Sequence, residues 1–251
     1  MISRHCRHRR NIFIQKVGAG EYIEKDDLMD NRYSVIFDMD GVIFDSERAC
    51  LDTWTEAAAG YGLSNVREVF DRCIGTNNNQ TRQIVEDAYA KEYGEGIADK
   101  LLSESSRLFH EKYDGGRLPV KKGVKEILEY LKAENVRCAV ASSTRKEVVE
   151  AELRDADLID YFEEIVGGDS VKVSKPDPEI YLIACDKLKT DPKYAFAIED
   201  SYNGIRSAHA AGMKPIMVPD MIPADDEMRE LADMVCESLL DVIDYLRDIT
   251  E

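Results

Sequence analysis

The sequence has no hydrophobic run that approaches the length of a bilayer span, so we do not expect a membrane protein. It is also short of positive charge. Only 33 Lys and Arg residues face 50 Asp and Glu residues, which gives a formal net charge of -17. Because nucleic-acid binding depends on neutralising phosphates with Lys and Arg, this balance argues against a nucleic-acid partner. A small anionic substrate stays possible, since salt screens distant charges and local cations decide its binding.

The chain has six cysteines but no CxxC pair, so the spacing typical of zinc and dithiol motifs is missing. Several of them lie in apolar stretches, which favours reduced core thiols in a cytoplasmic protein. We also expect a monomer. The cysteines are Cys6, Cys50, Cys73, Cys138, Cys185 and Cys236.

The N-terminal residues 1–31 differ in composition from the rest of the chain. Arginines crowd the first ten positions and no acid precedes Glu21. Serine is too scarce for a typical transit peptide, and the group His5, Cys6 and His8 is too short to be a convincing metal site. We predict a disordered tail, with Met29 as a candidate for the natural start.

The stretch Val35–Val42 carries the most information in the sequence. A short apolar run, typical of a strand buried on both faces, leads directly into Asp38, Met39, Asp40 and Gly41. The carboxyl ends of parallel strands are where open α/β sheets bind their ligands. Two carboxylates at this place can hold a hard cation, and one of them can attack phosphorus.

Residues 46–118 show helical spacing of apolar residues and no strand pattern, with glycines where the helices should end. We therefore predict a helical cap domain over residues 46–118, inserted into a core domain formed by residues 32–45 and 119–251. The predicted helices of the insertion are Ser46–Ala59, Ser64–Phe70, Thr81–Tyr93 and Ile97–Tyr113.

After the insertion, strand patterns alternate with helical ones. This alternation predicts an α/β core: a Rossmann-like parallel sheet with helices on both faces. The predicted helices are Val124–Glu134, one from Lys146, Ile180–Leu188 and Gly204–Ala211. The predicted strands are Val136–Ala141, Glu164–Val166, Tyr194–Ile198 and Pro215–Val218.

Polar residues follow further strands of this core. Ser142 and Ser143 come after one strand and open a helix, an arrangement suited to binding an anion. Lys175 precedes Pro176, and the acids Glu199 and Asp200 follow another strand. Each group alone has an ordinary interpretation, such as a helix cap or a solvated lysine. Together, in this order, they indicate a magnesium-dependent phosphoryl-transfer site.

These motifs resemble those of haloacid dehalogenase superfamily phosphatases, in the branch that includes β-phosphoglucomutase. The resemblance covers roughly residues 33–248 and implies an enzyme acting on a small phosphorylated metabolite. The matching motifs are Asp38-Met39-Asp40-Gly41-Val42, Ser142, Lys175-Pro176 and Glu199-Asp200-Ser201 with Gly204.

The resemblance also implies roles for these residues. Asp38 would attack phosphorus and become a phosphoaspartate, while Asp40 would act as the general acid and base. Mg²⁺ would be bound by Asp38, the backbone carbonyl of Asp40 and Asp200, with Glu199 a ligand or a neighbour of the ligands. Ser142, Ser143 and Lys175 would bind the phosphate.

Residues of the predicted cap distinguish between two related functions, a phosphatase and a mutase. In β-phosphoglucomutases a histidine follows the first motif, and here Cys50 stands at the matching place. The mutases also have an arginine in the cap that binds the second phosphate. Its place corresponds to about Asn78 here, although Arg82 could substitute. We therefore expect a sugar-phosphate phosphatase, with a phosphosugar mutase as the alternative and an inactive binding relative or a dehalogenase less favoured. Substrate selection is expected from Gly75, Thr76, Asn77, Asn78 and Arg82.

Overall fold

The computed structural model describes residues 14–17, 21–24, 33–74, 76 and 78–250. Within these residues an antiparallel hairpin, β1 and β2, precedes a sheet of six parallel strands in the order β5-β4-β3-β6-β7-β8. The strands are β1 (Ile14–Val17), β2 (Glu21–Glu24), β3 (Ser34–Phe37), β4 (Arg137–Ala141), β5 (Glu164–Val166), β6 (Ala195–Glu199), β7 (Lys214–Met217) and β8 (Met234–Val235).

Helices fill the connections between the parallel strands, because parallel neighbours need a crossover connection. Four of them, α1 to α4, follow one another in the chain between β3 and α5. The helices are α1 (Ser46–Tyr61), α2 (Val66–Asp71), α3 (Asn78–Tyr93), α4 (Ile97–Tyr113), α5 (Val124–Ala133), α6 (Lys146–Asp155), α7 (Glu179–Leu188), α8 (Tyr202–Ala210), α9 (Asp226–Leu231) and α10 (Leu239–Thr250).

The sheet is buried on both faces, which explains the unbroken apolar run of β3. Val35 and Phe37 belong to one hydrophobic cluster, together with residues of α5, α6 and α10. Ile36 belongs to a second cluster, with residues of α7. Side chains alternate across a strand, so a strand covered by helices on both sides needs apolar residues at every position.

Helices α1 to α4 have a hydrophobic cluster of their own. At its centre the rings of Trp54 and Phe70 meet edge to face, with centroids 5.2 Å apart. Gly62 ends α1 in the left-handed conformation, with φ 70°, as its position in the sequence predicts. The separate cluster means that this four-helix unit is packed by its own residues.

The predicted α/β fold class is confirmed, and the predicted helices and strands of residues 33–218 are all present within three residues at each end. The structure adds α9, β8 and α10, which we did not predict. Within the predicted tail, Ile14–Val17 pairs with Glu21–Glu24. The remaining residues of 1–32 lie outside the described part of the chain.

None of the helices in the described ranges is both long enough and apolar enough to cross a bilayer.

Candidate active site

The first aspartate lies where three strands end side by side. Phe37, the last residue of β3, pairs with Val140 of β4 and with Ile198 of β6. The next residue, Asp38, is anchored by a 2.9 Å hydrogen bond from its backbone N–H to the Ile198 carbonyl. The register therefore brings the residues that follow β3, β4 and β6 to one point.

Lys175 links the acids at this point. Its Nζ donates hydrogen bonds to Asp38 Oδ1 at 2.6 Å, to Glu199 Oε1 at 2.7 Å and to the Ala141 carbonyl at 2.9 Å. Its side chain is buried, and its peptide bond to Pro176 is cis. Burial lowers the pKa of Lys175, but the charges of Asp38 and Glu199 outweigh this, so the net shift is upward. Lys175 is held as a cation.

Glu199 has hydrogen bonds on both carboxylate oxygens. Oε1 accepts from Lys175 and from the Tyr181 hydroxyl at 2.7 Å, and Oε2 accepts from Ser201 Oγ at 3.0 Å. A Cβ on Gly204 would lie 1.8 Å from the Glu199 carboxyl carbon, so only glycine leaves room for this side chain. Glu199 is thus fixed by its neighbours and acts as the anchor of Lys175. Tyr181 was not predicted, because nothing in its sequence context marks a buried tyrosine as part of the site.

Three buried carboxylates form a candidate metal site. Oxygens of Asp38, Glu199 and Asp200 lie within 4.8 Å of one another. Burial raises the pKa of Asp38, and Glu199 and Asp40 add to this shift, while the charge of Lys175 opposes it. Burial likewise raises the pKa of Asp200, helped by Glu199 and Asp38. One lysine does not balance three buried acids, so a divalent cation suits this donor set.

Gly41 gives Asp200 its space. Its φ is +77°, and a Cβ at this position would lie 2.2 Å from Asp200 Oδ2. Both features require glycine after the second aspartate, since other residues rarely adopt this conformation. Gly41 therefore leaves the space that the carboxylate of Asp200 occupies.

The second aspartate, Asp40, contacts hydroxyl groups of the loop after β4. Its Oδ2 accepts a 2.9 Å hydrogen bond from Thr144 Oγ1 and lies 3.4 Å from Ser142 Oγ. Ser142 Oγ in turn accepts the backbone N–H of Thr144 at 3.0 Å. Asp38 and Asp40, although separated by one residue, thus have different surroundings: a lysine for the first and hydroxyl groups for the second.

A cavity of about 970 Å³ lies between these residues and the four-helix unit. It is lined by the predicted site residues Asp38, Asp40, Ser143, Lys175 and Asp200 from the core. Residues of α1, α2 and the following loop form the opposite wall. The opposite wall includes Ser46, Glu47, Cys50, Trp54, Phe70, Cys73 and Thr76.

Of the residues in the helical unit that we predicted to select the substrate, some line the cavity and others do not. Thr76 lines the cavity, and its hydroxyl contacts the hydroxyl of Thr81 at 2.8 Å. Arg82 does not line the cavity; it forms an ion pair with Asp99 on the exposed surface. Asn78 begins α3. Gly75 and Asn77 lie outside the described residues.

Two further acids line the cavity without belonging to the predicted set. Glu47 reaches it from α1 and Glu152 from α6. Glu47 follows the predicted helix start at Ser46, and nothing in that context marks it as part of a cavity. Glu152 lies far from every motif in the sequence, and only the fold brings it to the cavity.

The arrangement of these motifs agrees with the comparison to known families. The family model for haloacid dehalogenase-like hydrolases matches residues 35–218, which is most of the chain. The chain belongs to this family. The chain is an enzyme of the hydrolase class, and the predicted resemblance is confirmed.

Two relatives of this haloacid dehalogenase-like hydrolase are phosphatases by name. A phosphorylated carbohydrates phosphatase of Thermotoga maritima is 34% identical over 184 residues, which cover 73% of this chain and 83% of the relative. Hexitol phosphatase B of Escherichia coli K12 is 30% identical over 218 residues, covering 83% and 93%.

A solved structure has the same fold. The β-phosphoglucomutase of Clostridium difficile superimposes with a TM-score of 0.64 at 21% identity, over 87% of this hydrolase and 97% of the mutase chain. At this identity the likeness concerns the fold alone.

Proposed function

We propose that this hydrolase is a Mg²⁺-dependent phosphatase that cleaves a small sugar phosphate through a phosphoaspartate. The observation that carries the proposal is the pairing of Asp38 with the buried Lys175 at the wall of the cavity. An acid held by a lysine beside further carboxylates is suited to attack on a phosphate group, because cations can draw charge from the phosphoryl oxygens.

Asp38 is the proposed nucleophile. Lys175 holds Oδ1 at 2.6 Å, which fixes the carboxylate while its other oxygen receives no hydrogen bond from the described residues. The free oxygen forms the bond to phosphorus as the bond from phosphorus to the ester oxygen breaks. Lys175 then stabilises negative charge on the oxygens that are not transferred.

Asp40 is the proposed general acid and base. It lines the cavity, and hydroxyl groups of Thr144 and Ser142 orient it. Its proton passes to the departing ester oxygen, and the same carboxylate then takes a proton from the water that attacks the phosphoaspartate. Water oxygen becomes the fourth oxygen of inorganic phosphate, and Asp38 is regenerated.

The carboxylates of Asp38 and Asp200 are the proposed side-chain ligands of Mg²⁺, with the backbone carbonyl of Asp40. Glu199 has both oxygens occupied by protein donors, so we assign it to anchoring Lys175. When bound, Mg²⁺ would offset the negative charge that the substrate phosphate adds to this site. Ser142 and Ser143, at the end of β4, are the proposed phosphate-binding residues.

The carbohydrate substrate class is supported by the two relatives, which act by name on phosphorylated carbohydrates and on hexitol phosphates. A cavity between core and helical unit suits a substrate of sugar size. We propose that the helical unit, residues 46–118, is the cap that selects the sugar.

A phosphosugar mutase is the alternative, since β-phosphoglucomutase shares the fold. A mutase must bind a bisphosphate at both ends, and Arg82, the candidate for the second phosphate, pairs with Asp99 outside the cavity. Cys50 lines the cavity at the place where the mutases have a histidine, and burial raises the pKa of its thiol to about 12. Both observations favour the phosphatase.

The test measures inorganic phosphate released from a panel of sugar phosphates and p-nitrophenyl phosphate, with Mg²⁺ and with a chelator. We expect Mg²⁺-dependent release that Asp38→Asn abolishes. A second reaction offers β-glucose 1-phosphate with a bisphosphate primer. Formation of glucose 6-phosphate faster than release of phosphate would contradict the phosphatase and establish the mutase.

A further inference from the structure

The charges on the cavity wall are almost all negative. Among the described lining residues the carboxylates are Asp38, Asp40, Glu47, Glu152 and Asp200. The one basic residue among them is Lys175, and its Nζ is already bound to Asp38 and Glu199. No described lining residue therefore offers a free cation to the part of a substrate beyond its phosphate.

Two of these carboxylates lie outside the catalytic motifs and face the cavity from opposite sides. Glu47 is on α1 of the helical unit, and its carboxylate has no ion pair or hydrogen bond with a described residue. Glu152 is on α6 of the core, and its buried Oε2 has no hydrogen-bond partner there. Both carboxylates are therefore hydrogen-bond acceptors that a ligand in the cavity could use.

Ser46 supplies an independent observation of the same kind. The residue is 5% exposed, it lines the cavity, and its buried Oγ has no hydrogen-bond partner among the described residues. Buried polar groups in folded proteins are nearly always satisfied by protein, water or ligand. An unpaired hydroxyl on the cavity wall that also carries Glu47 and Glu152 indicates a polar ligand with several hydrogen-bond donors.

The electrostatic surroundings of the two glutamates agree with an uncompensated negative wall. Burial raises the pKa of Glu47 to about 7, and the charges of Asp40 and Asp220 act in the same direction. Burial also raises the pKa of Glu152, with Asp114, Asp155 and Asp40 adding to the shift and His110 opposing it. No lysine or arginine offsets either shift.

We propose that Glu47 and Glu152 restrict the enzyme to phosphate monoesters whose alcohol part carries hydroxyl groups and no second anion. The inference rests on the proposed phosphatase function and adds the rule by which substrates are selected. Sugar or polyol hydroxyls donate to the two carboxylates and to Ser46. A second phosphate or a carboxylate would be desolvated against like charges with no cation to receive it, which disfavours such a substrate strongly.

The experiment compares two substrates that differ at one carbon. Glucitol 6-phosphate ends in a CH₂OH group where 6-phosphogluconate has a carboxylate. For the wild-type enzyme at pH 8, above the raised pKa of Glu47, we expect kcat/KM to be about 100-fold higher for glucitol 6-phosphate, in the range that pocket contacts provide. Equal values for the two substrates would overturn the proposal.

The second part of the experiment tests whether Glu47 and Glu152 cause the preference between the two substrates. In the variant Glu47→Gln/Glu152→Gln the ratio of the two kcat/KM values should fall at least about tenfold, because both negative charges are gone. The matched control is Glu126→Gln, an exposed residue of α5, which should keep the wild-type ratio. Each ratio is measured within one protein preparation, so a smaller folded fraction does not change it. A ratio unchanged in the double variant would overturn the assignment.

Two further outcomes are separable. If glucosamine 6-phosphate is hydrolysed much faster than glucose 6-phosphate, the two glutamates bind a cation and the hydroxyl-binding part of the proposal is wrong. If the wild-type enzyme hydrolyses no phosphate ester, p-nitrophenyl phosphate included, the proposed function itself fails. A protein that hydrolyses p-nitrophenyl phosphate and both six-carbon substrates equally overturns the selection rule alone.

Discussion

Thr144 Oγ1 donates a 2.9 Å hydrogen bond to Oδ2 of Asp40. The contact joins the loop after β4 to the loop after β3, at the carboxylate that we assign to proton transfer. A carboxyl group can deliver its proton only when it is turned toward the ester oxygen. Thr144 is thus a positioning residue for Asp40.

Replacing Thr144 by valine tests this role, because valine keeps the shape of threonine and removes the donor. A hydrogen bond to a charged group contributes about 1.5–3 kcal/mol, so we expect kcat to fall roughly tenfold or more while KM changes little. Steady-state kinetics with p-nitrophenyl phosphate measure the effect. Thr55→Val is the control, because among the described residues the Thr55 hydroxyl bonds to the Leu51 carbonyl alone, on an exposed part of α1. A larger change in KM than in kcat would contradict the positioning role.

Gly41→Ala should weaken metal binding. The added Cβ would fall 2.2 Å from Asp200 Oδ2, and a φ of +77° is unfavourable for alanine. Asp200 must then move, so we expect the Mg²⁺ concentration for half-maximal activity to rise at least about tenfold, with a loss of roughly 1–3 kcal/mol in unfolding free energy. A Mg²⁺ titration of phosphatase activity and a urea unfolding curve give the two values.

Gly60→Ala is the matched control for this substitution. Gly60 lies near the end of α1, and a Cβ there would have no heavy atom within 4 Å. Alanine has a higher helix propensity than glycine, so stability should rise by up to about 1 kcal/mol. Its Mg²⁺ dependence should equal that of the wild type. If both alanine variants show the wild-type dependence, Gly41 does not protect the metal site.

Glu47 should make stability depend on pH. Burial raises the pKa of Glu47 from 4.5 to about 7, so the folded protein holds this proton more tightly than the unfolded chain does. The associated stability is present in full below about pH 4.5 and is lost as the pH rises through about 7. Glu47→Gln removes this dependence. Its stability relative to the wild type should therefore improve between about pH 4.5 and pH 8, by roughly 1–2 kcal/mol.

Urea unfolding of the two proteins at both pH values, without Mg²⁺, measures this difference. Comparing variant with wild type at each pH cancels the titration of all other groups. Glu126→Gln again serves as the control, since an exposed glutamate should give the same difference at both pH values. A Glu47→Gln difference that stays constant, or that falls as the pH rises, would contradict the raised pKa of Glu47.

Much of the core could be predicted from the sequence because local pattern and global fold agree there. The apolar run of β3 is buried on both faces, and Gly62 ends α1 where a glycine is expected. The residues after β3, β4 and β6 meet because parallel strands end at one edge of the sheet. By contrast, β8 has two residues, Met234 and Val235, and so short a strand leaves too little pattern to detect.

The parts of the site that could not be predicted depend on contacts across the fold. Tyr181 reaches Glu199 from a helix, and Glu152 enters the cavity from α6. Arg82 was expected at the cavity because it follows the selection loop by one helical turn. Its ion pair with Asp99 of the neighbouring helix α4 takes it elsewhere. Such orientations depend on helix packing, which a single sequence does not show.

The most direct test of the central claim is to trap the phosphoaspartate on Asp38. Enzyme, Mg²⁺ and substrate are mixed and quenched in acid within one turnover, and peptides are then analysed by mass spectrometry. We predict that the peptide containing Asp38 gains the mass of one phosphoryl group and loses it on treatment with hydroxylamine. The Asp38→Asn variant should show no such gain. Phosphate release within the first turnover without a phosphorylated Asp38, or with a phosphoryl group on another residue, would contradict the account.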